Sequence, residues 1–445
     1  MERVRAWLGE SQAYEALDDD PDDPTSPEER ARTLGKTSKF EYVIFLLLGC
    51  AMLWSWNMFM ACATYFQRRF AGDDFLLNNF QSLILASATL TNLTSAWYLS
   101  FRQDNANYPA RICMSLIMNI VLSTILALST IFFIMGPGSY IFVVLGCVLL
   151  SSWSTGLSQN GVFAYVNTFG GSCMQAVMTG QGIAGVLPAI AQIASVLLVP
   201  ASNDLTASPK SAFIYFLTAT FVSGACLFLF LGLLARQRTS TVTKIDTEAE
   251  THDLDASPDT TAAPNPRKSV SLWRLLSKLK YHSFSIWFCF FVTMAFPVFT
   301  QAITSVRSPV LNPPRFFSPD VFIPFGFLIW NLGDLLGRVL CGFERFQLTQ
   351  PKLLALCSLA RVAFIPLYFM CNVKGNGAVV ESDLFYWAVG LTFGMTSGWV
   401  GSNAMMAAPA CVDEGEREAS GGFMGLCLVA GLASGSMASF LVLGA

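Results

Sequence analysis

One stretch of the sequence decides the fold: Ile329-Trp330-Asn331-Leu332-Gly333-Asp334-Leu335-Leu336-Gly337-Arg338. It lies inside an apolar segment that begins near Val321. Asn331, Asp334 and Arg338 are spaced i, i+3 and i+7, so on a helix they share one face. Facing lipid at mid-membrane, each charge would cost roughly 2.5–3.5 kcal/mol. The pattern therefore predicts a membrane helix whose charged face points into a bundle or a wet cavity, which makes it a candidate functional site.

The composition of the whole chain indicates a polytopic membrane protein. Its 445 residues are 53% hydrophobic and 13% charged, whereas a soluble domain carries about 25% charged residues. The apolar runs are long enough for helical spans, and they differ from the roughly ten-residue alternating segments of a transmembrane barrel. The fold class predicted is therefore an all-α membrane protein. The net charge of −3 adds little, because the distribution of charge matters more than its total.

The sequence shows neither a metal-ligand pattern nor a catalytic set. The twelve cysteines have no CxxC or CxxH spacing, and most lie in apolar runs, where they behave as small hydrophobic residues. The two histidines are His252 and His282, and there is no Walker motif, no HExxH and no serine-hydrolase elbow. We expect a protein that is not an enzyme and uses no cofactor or metal. The lack of a motif for ATP hydrolysis favours facilitated or ion-coupled movement of a solute.

Apolar runs near the ~20 residues that a bilayer requires predict about eleven spans. The predicted spans cover residues 41–66, 76–101, 111–135, 139–166, 173–199, 211–235, 283–306, 320–343, 353–372, 383–409 and 420–444. The predicted organisation is a disordered cytosolic tail (1–39), an N-terminal six-helix bundle (40–235), a cytosolic loop (236–282) and a C-terminal five-helix bundle (283–445). The loop ends in a basic amphipathic segment, 273–280, which we expect at the membrane surface.

The placement of lysine and arginine predicts the orientation in the membrane. With the N-terminus in the cytosol, the outer loops carry few basic residues, which are Arg68, Arg69, Lys210, Arg307, Arg315 and Lys374. The inner side carries nearly all the others. An odd number of spans then places the C-terminus outside the cell or in the lumen of an organelle. The membrane itself, plasma or vacuolar/lysosomal, stays open.

Polar side chains recur inside several predicted spans. Asn57 lies beside Trp56 well inside the first span, and Gln159 precedes Asn160 in the fourth. Gln181 lies in the fifth. Buried amides require hydrogen-bond partners, so each amide either joins helices or faces a solute. A glutamine can donate two hydrogen bonds and accept two, which suits the edge of a heterocyclic base.

The charged pair in the eighth span allows two interpretations. Asp334 and Arg338 are one helical turn apart and form either a structural ion pair or a pair at a solute cavity. In a cavity, the carboxylate would accept hydroxyl protons and the guanidinium would donate. Arg361, near the start of the ninth span, is expected to extend its guanidinium to the cytosolic interface. Glycines four residues apart, Gly333 with Gly337 and Gly431 with Gly435, predict close helix contacts.

Taken together, these motifs resemble the equilibrative nucleoside transporter family. The most specific match is Asn331-x-x-Asp334-x-x-Gly337-Arg338 in the eighth span. Other spans supply further matches, which are Trp56-Asn57-x-Phe59-Met60, Gln159, Met178-Thr179-Gly180-Gln181-Gly182-x-Ala184-Gly185, Arg361-Val362-Ala363-Phe364-Ile365-Pro366-Leu367 with Cys371-Asn372, and Ser397-Gly398-Trp399 with Pro409. The resemblance runs through both halves of the chain, from about Phe40 to the C-terminus.

The resemblance implies a fold similar to the major facilitator fold with one span missing, with six helices and then five around a central cavity. It implies alternating access for nucleosides, often passively down a gradient. The implied substrate-binding residues are Trp56 and Gln159 for the base, Asp334 and Arg338 for the ribose hydroxyls, Asn331 in support of that pair, and Met60 in the outer part of the cavity. Expected partners are nucleosides and the lipid bilayer, with no nucleic acid; the oligomeric state stays open.

Departures from the family pattern leave the substrate range open. Ser55 stands where the family has a proline, and Ser397 stands where asparagine is usual. Asn160-Gly161 differs from the commoner residues after the fourth-span glutamine. Nucleobase transport or broad specificity is therefore an alternative. Further alternatives are proton-coupled transport from an acidic organelle, with Asp334 as the titrating group, and a non-transporting membrane receptor that uses the cytosolic loop.

Overall fold

The computed structural model describes residues 38–103, 106–133, 135–198, 209–252, 270–307 and 315–442. The helices of the N-terminal half are α1 (Lys39–Ala61), α2 (Ala63–Phe70), α3 (Asp74–Phe101), α4 (Tyr108–Phe132), α5 (Pro137–Val166), α6 (Gly171–Leu198) and α7 (Pro209–His252). Those of the C-terminal half are α8 (Leu272–Thr293), α9 (Ala295–Ala302), α10 (Pro319–Leu340), α11 (Pro351–Ala360), α12 (Phe364–Phe369), α13 (Asp383–Ala407) and α14 (Arg417–Val442). The predicted disordered tail falls outside these residues, apart from its last two positions.

Three pairs of helices continue one another after a short interruption. Cys62 separates α1 from α2, Met294 separates α8 from α9, and the turn 361–363 separates α11 from α12. The described residues therefore form eleven long helical segments, which confirms the predicted all-α fold with about eleven spans. Nine of the described segments are long and apolar enough to cross a membrane. The other two, α3 and α13, are as long but richer in polar residues and glycine.

Local sequence signals explain where several helices begin. Asp73 precedes α3 and accepts a hydrogen bond from the Leu76 amide at 3.0 Å. Asn107 precedes α4 and accepts one from the Ala110 amide at 3.0 Å. Such N-cap side chains satisfy amides that have no partner within the helix. A proline lies in the first turn of α4, α5, α10 and α11, where its missing amide proton carries no penalty.

Glycines let the helices of the C-terminal half approach at backbone distance. A Cβ on Gly333 or Gly337 of α10 would overlap a carbonyl oxygen of α13. A Cβ on Gly431 or Gly435 of α14 would likewise overlap a carbonyl oxygen of α8. The predicted close contacts at these four glycines are confirmed. They make α10–α13 and α8–α14 tightly packed pairs, which fixes the helix that carries the charged face.

The segment between the two halves is helical on both of its described sides. α7 continues to His252 and α8 already begins at Leu272. The basic amphipathic segment therefore forms the first turns of α8, which bends at Leu279. Its apolar residues Leu275 and Leu279 are buried in the core, while Trp273 is 80% exposed. The amphipathic pattern thus docks this segment on the bundle through its leucine face.

The two halves contact each other near Tyr42, and we call this end of the molecule the Tyr42 end. Gln175 on α6 accepts a hydrogen bond from the Tyr42 hydroxyl at 2.7 Å and donates one to the backbone oxygen of Arg338 on α10 at 3.1 Å. Asn167, directly after α5, donates to the hydroxyl of Ser420 on α14 at 3.2 Å. These polar contacts join α5 and α6 of the first half to α14 and α10 of the second.

Candidate functional site

The charged pair of α10 is buried and intact. Arg338 Nε donates a hydrogen bond to Asp334 Oδ2 at 2.7 Å. Each residue is only 5% exposed. Both side chains lie on the face of α10 that packs against α6 and α13. The prediction that this face points inward is confirmed.

The guanidinium of Arg338 also reaches the N-terminal half. Its Nη1 donates to the backbone oxygen of Met178 at 2.9 Å and to Oε1 of Gln181 at 3.1 Å, both on α6. Gln181 in turn donates from Nε2 to the sulfur of Met52 on α1 at 3.0 Å. Arg338 therefore links Asp334 on α10 directly to α6 of the other half, and Gln181 extends this contact to α1.

Two polar atoms of the charged pair are left without protein partners. Oδ1 of Asp334 is buried and accepts no hydrogen bond within the described residues. Nη2 of Arg338 makes no hydrogen bond there either, since Nε and Nη1 form all the bonds of this guanidinium. Buried polar groups are nearly always paired, so the unpaired Oδ1 of Asp334 indicates a site for a polar ligand.

Asn331 lies one turn before Asp334 and makes a packing contact. Its Nδ2 donates to the backbone oxygen of Phe327 in the same helix at 2.8 Å. A Cβ on Gly185 of α6 would overlap its Oδ1. Asn331 therefore touches α6 at Gly185, where the missing side chain leaves room. On α6, this contact lies one turn from Gln181, which bonds Arg338. Its predicted role in support of the pair stays a prediction.

The two adjacent amides of α5 behave differently. Oδ1 of Asn160 accepts a hydrogen bond from Arg111 Nη1 on α4, so Asn160 joins two helices. Gln159 is 4% exposed, and its Oε1 has no partner within the described residues. In either orientation of the Gln159 amide, one of its ends is unpaired within the described residues. Gln159 therefore keeps a free polar group for a ligand, whereas Asn160 is structural.

The candidate residues of α1 lie side by side on the first helix. The Trp56 ring is parallel to that of Phe59, with centroids 6.5 Å apart, and packs on the apolar core of the N-terminal half. Met60 is 48% exposed. Asn57 donates to the backbone oxygen of Ala184 on α6 at 2.7 Å, so it joins helices.

The structure brings together only part of the predicted site. Asp334 and Arg338 contact each other, and Asn331 lies one turn away on the same helix. Within the described residues, no hydrogen bond, ion pair or ring contact joins Trp56, Met60 or Gln159 to the charged pair. The assignment of all six residues to substrate binding stays a prediction.

Sequence reasoning missed the partners that α6 supplies to α10. Gln175, Met178, Gln181 and Gly182 follow one face of α6 and all contact α10 or Arg338. The available signal was their spacing, since residues three and four apart share a helix face. The sequence allowed Gln181 either to join helices or to line a cavity, and the structure shows that it joins α6 to α10 and α1.

The prediction that Arg361 extends to the membrane interface is wrong. Arg361 is 2% exposed and lies in the turn between α11 and α12. It is ten residues from the start of α11, or about 15 Å along a helix, which is half of a ~30 Å hydrocarbon layer. Its side chain finds acceptors inside the bundle instead, because Nη2 donates to Thr293 Oγ1 on α8 at 3.0 Å.

Comparisons with known proteins point to one family. A family model described as nucleoside transporter matches residues 145–443. The chain is 30% identical to the nucleoside transporter FUN26 of Saccharomyces cerevisiae, with 91% of this chain and 84% of that protein covered. It is 25% identical to the human equilibrative nucleoside transporter 2, with 90% of this chain and 96% of that protein covered.

Solved structures of major facilitator superfamily transporters share the fold. The outward conformation of FucP matches with a TM-score of 0.51 at 14% identity, covering 91% of this chain and 97% of that one. The proton:xylose symporter XylE matches with a TM-score of 0.54 at 12% identity, covering 91% and 86%. At such identities the likeness concerns the fold alone, and it confirms the predicted similarity to the major facilitator fold.

Proposed function

The chain belongs to the nucleoside transporter family, and we propose that it carries nucleosides across a membrane by alternating access, passively down their gradient. The observation that carries this proposal is a pair of buried, unpaired acceptors on opposite halves of the molecule. Asp334 Oδ1 lies on α10 and Gln159 Oε1 on α5. A solute with hydrogen-bond donors at two places would satisfy both, and so bind both halves at once.

A nucleoside has the chemistry that such a pair of groups recognises. Its ribose hydroxyls can donate to Asp334 Oδ1 and accept from Arg338 Nη2, which are the free atoms of the charged pair. Its base can bond the free end of Gln159 and lie against the ring of Trp56. Asn331 would hold α10 against α6, and Met60 would line the outer part of the path. A nucleobase lacks the ribose, so we expect nucleosides to be preferred.

The contacts between the halves suggest which side is closed. Two hydrogen bonds between the halves lie towards the Tyr42 end: Gln175 bonds Arg338, and Asn167 bonds Ser420. The distribution of basic residues favours an N-terminus in the cytosol, which would make the Tyr42 end cytosolic and the C-terminus outer or lumenal. The state described is then outward-facing, closed on the cytosolic side. The protein is an integral, multi-pass membrane protein, and the plasma membrane or a vacuolar/lysosomal membrane is the proposed location.

Uptake by the purified protein in liposomes tests the proposal. The panel contains labelled uridine, adenosine, uracil and adenine, each with and without an imposed pH gradient. We expect saturable uptake of both nucleosides, slower uptake of the bases and no dependence on the gradient. Uptake that requires the gradient would indicate obligatory proton coupling, and faster uptake of bases would indicate a nucleobase carrier. Absence of any flux from protein that is folded and inserted would favour a receptor.

A further inference from the structure

Arg361 joins three helices of the C-terminal half. Nη1 donates to the backbone oxygen of Cys289 and to its sulfur at 2.9 Å, both on α8. Nε donates to Thr396 Oγ1 on α13 at 3.3 Å, and the guanidinium lies 4.7 Å from the centroid of the Phe393 ring. Because Arg361 itself follows α11, a single side chain fixes α8, α11 and α13 relative to one another.

The acceptors of Arg361 are neutral. Among the described residues it forms no ion pair, and its partners are backbone oxygens, hydroxyls and a thiol. A buried cation without a paired carboxylate is costly, so its full set of hydrogen bonds must hold it in place. The planar guanidinium directs Nε, Nη1 and Nη2 to different helices at once, which a lysine ammonium cannot reproduce.

The helix that Arg361 holds is in backbone contact with the charged pair. A Cβ on Gly394 of α13 would overlap the backbone oxygen of Trp330, and one on Gly398 would overlap that of Asp334. The Cβ of Gly398 would also lie 3.0 Å from the side chain of Arg338. With no side chains between the two helices, a displacement of α13 moves the turn of α10 that carries Asp334.

A second bond ties α13 to α8 at the same level. Thr293 Oγ1, which accepts from Arg361, lies 3.0 Å from Ser397 Oγ. Ser397 immediately precedes Gly398, the glycine against which the Asp334 backbone packs. Two hydrogen bonds therefore connect Arg361 through Thr293 to Ser397, and the packing of Gly398 continues this contact to the backbone at Asp334.

We propose that Arg361 is a positioning residue for solute recognition: by holding α13 against α8, it sets the position of the Asp334 carboxylate relative to the solute. Because this inference rests on the proposed function, its test must separate the two. The readout is a selectivity ratio, defined as Vmax/KM for uridine divided by Vmax/KM for 2′,3′-dideoxyuridine. This ratio does not depend on how much protein is folded.

The test compares Asp334→Asn and four further variants of the full chain in liposomes. Arg361→Gln is expected to lower the ratio roughly tenfold, the scale of one charge-assisted hydrogen bond. Arg361→Lys should recover little of it, because a lysine cannot bond three helices. Thr396→Val, which removes one acceptor of Arg361, should lower the ratio about threefold. Thr124→Val is the matched control: it removes a hydroxyl bond of the same kind between α4 and α7 of the N-terminal half and should leave the ratio at the wild-type value.

The outcomes separate this inference from the proposed site. Asp334→Asn should abolish the preference for uridine. If it does so while Arg361→Gln and Thr396→Val keep the wild-type ratio, Arg361 is only a packing residue and the inference is overturned. If Asp334→Asn leaves the ratio unchanged, the ribose site itself is wrong. Should the Arg361 variants fail to accumulate, Thr396→Val decides alone, because threonine and valine have nearly the same shape.

Discussion

Arg338 on α10 donates a hydrogen bond to Gln181 on α6 at 3.1 Å, while the same guanidinium holds Asp334 at 2.7 Å. The charged pair is therefore both a candidate ligand site and a contact between the two halves. Alternating access requires the halves to part at one end and close at the other. A solute that engages Asp334 or Arg338 would act directly on a group that helps keep the halves together.

Replacement of Gln181 should loosen the Tyr42 end. Gln181→Met keeps the volume but removes one acceptor of Arg338 on α6, and a bond to a charged group contributes about 1.5–3 kcal/mol. We expect the closed state to lose roughly tenfold in population relative to the opened one. Hydrogen–deuterium exchange of the backbone should rise at the start of α6 and the end of α10.

The matched control for this exchange experiment lies within the N-terminal half. Thr124 on α4 and Thr220 on α7 are 3.2 Å apart through their hydroxyls. Thr124→Val removes that bond without touching a contact between the halves, so exchange near Gln175 should stay at the wild-type level. Equal effects of Gln181→Met and Thr124→Val would show that the Arg338–Gln181 bond does not hold the halves together.

The fold was largely predictable from the sequence, because a bilayer forces every span to be a helix of about 20 apolar residues. The charged face of α10 was predictable for the same reason, since Asp334 and Arg338 must avoid lipid. The partners of that face were not, because Gln175 and Gln181 gain their roles only when α6 packs on α10. The spacing of residues along one helix shows which of them share a face, but it does not show which other helix packs against that face.

Arg361 shows where a local rule gives a wrong prediction. An arginine in the first half of a span usually extends to the interface. Here Arg361 lies in the turn that interrupts the helix, and hydroxyls and carbonyl oxygens of α8 and α13 surround the guanidinium. Those acceptors lie more than sixty residues away in sequence on α8, so a single-span pattern could not reveal them.

Asp334→Asn should remove most nucleoside uptake without preventing folding. The amide keeps an oxygen that can accept from Arg338 Nε, so the variant avoids much of the roughly 3–5 kcal/mol that loss of one partner of a buried ion pair costs. It loses the charge with which the carboxylate would accept ribose hydroxyls. We expect uridine uptake per folded protein in liposomes to fall at least tenfold.

The uptake rate of Asp334→Asn is divided by the amount of folded protein. Size-exclusion chromatography should show the variant as a single peak like that of the wild type. Uptake at the wild-type rate would remove Asp334 from the substrate site. Loss of the folded peak would mean that the pair is needed for stability, and uptake is then measured on the remaining folded fraction.

Substitutions of the neighbouring residues Gln159 and Asn160 should have different effects, the first on solute binding and the second on stability. Gln159→Ala removes a group that is free for the solute and should raise KM for uridine and adenosine about tenfold, with a small change in Tm. Asn160→Ala takes the acceptor from Arg111 and should lower the free energy of unfolding by about 1–3 kcal/mol, with KM unchanged. Uptake kinetics and thermal unfolding of both variants check this. The reverse pattern would move the solute contact from Gln159 to Asn160.

Gly421 on α14 offers a test of the contact between the halves at the Tyr42 end. A Cβ at this position would overlap the backbone oxygen of Phe163 on α5, so Gly421→Ala must push α14 away from α5. Because Gly421 lies away from Asp334, we expect Vmax for uridine to fall severalfold while KM changes little. Gly224→Ala is the control, since a Cβ at Gly224 of α7 meets nothing within 4 Å and alanine favours the helix by about 1 kcal/mol. Uptake kinetics of both variants in liposomes provide the measurement. Should Gly421→Ala transport as fast as Gly224→Ala, close packing of α5 on α14 is not part of the transport cycle.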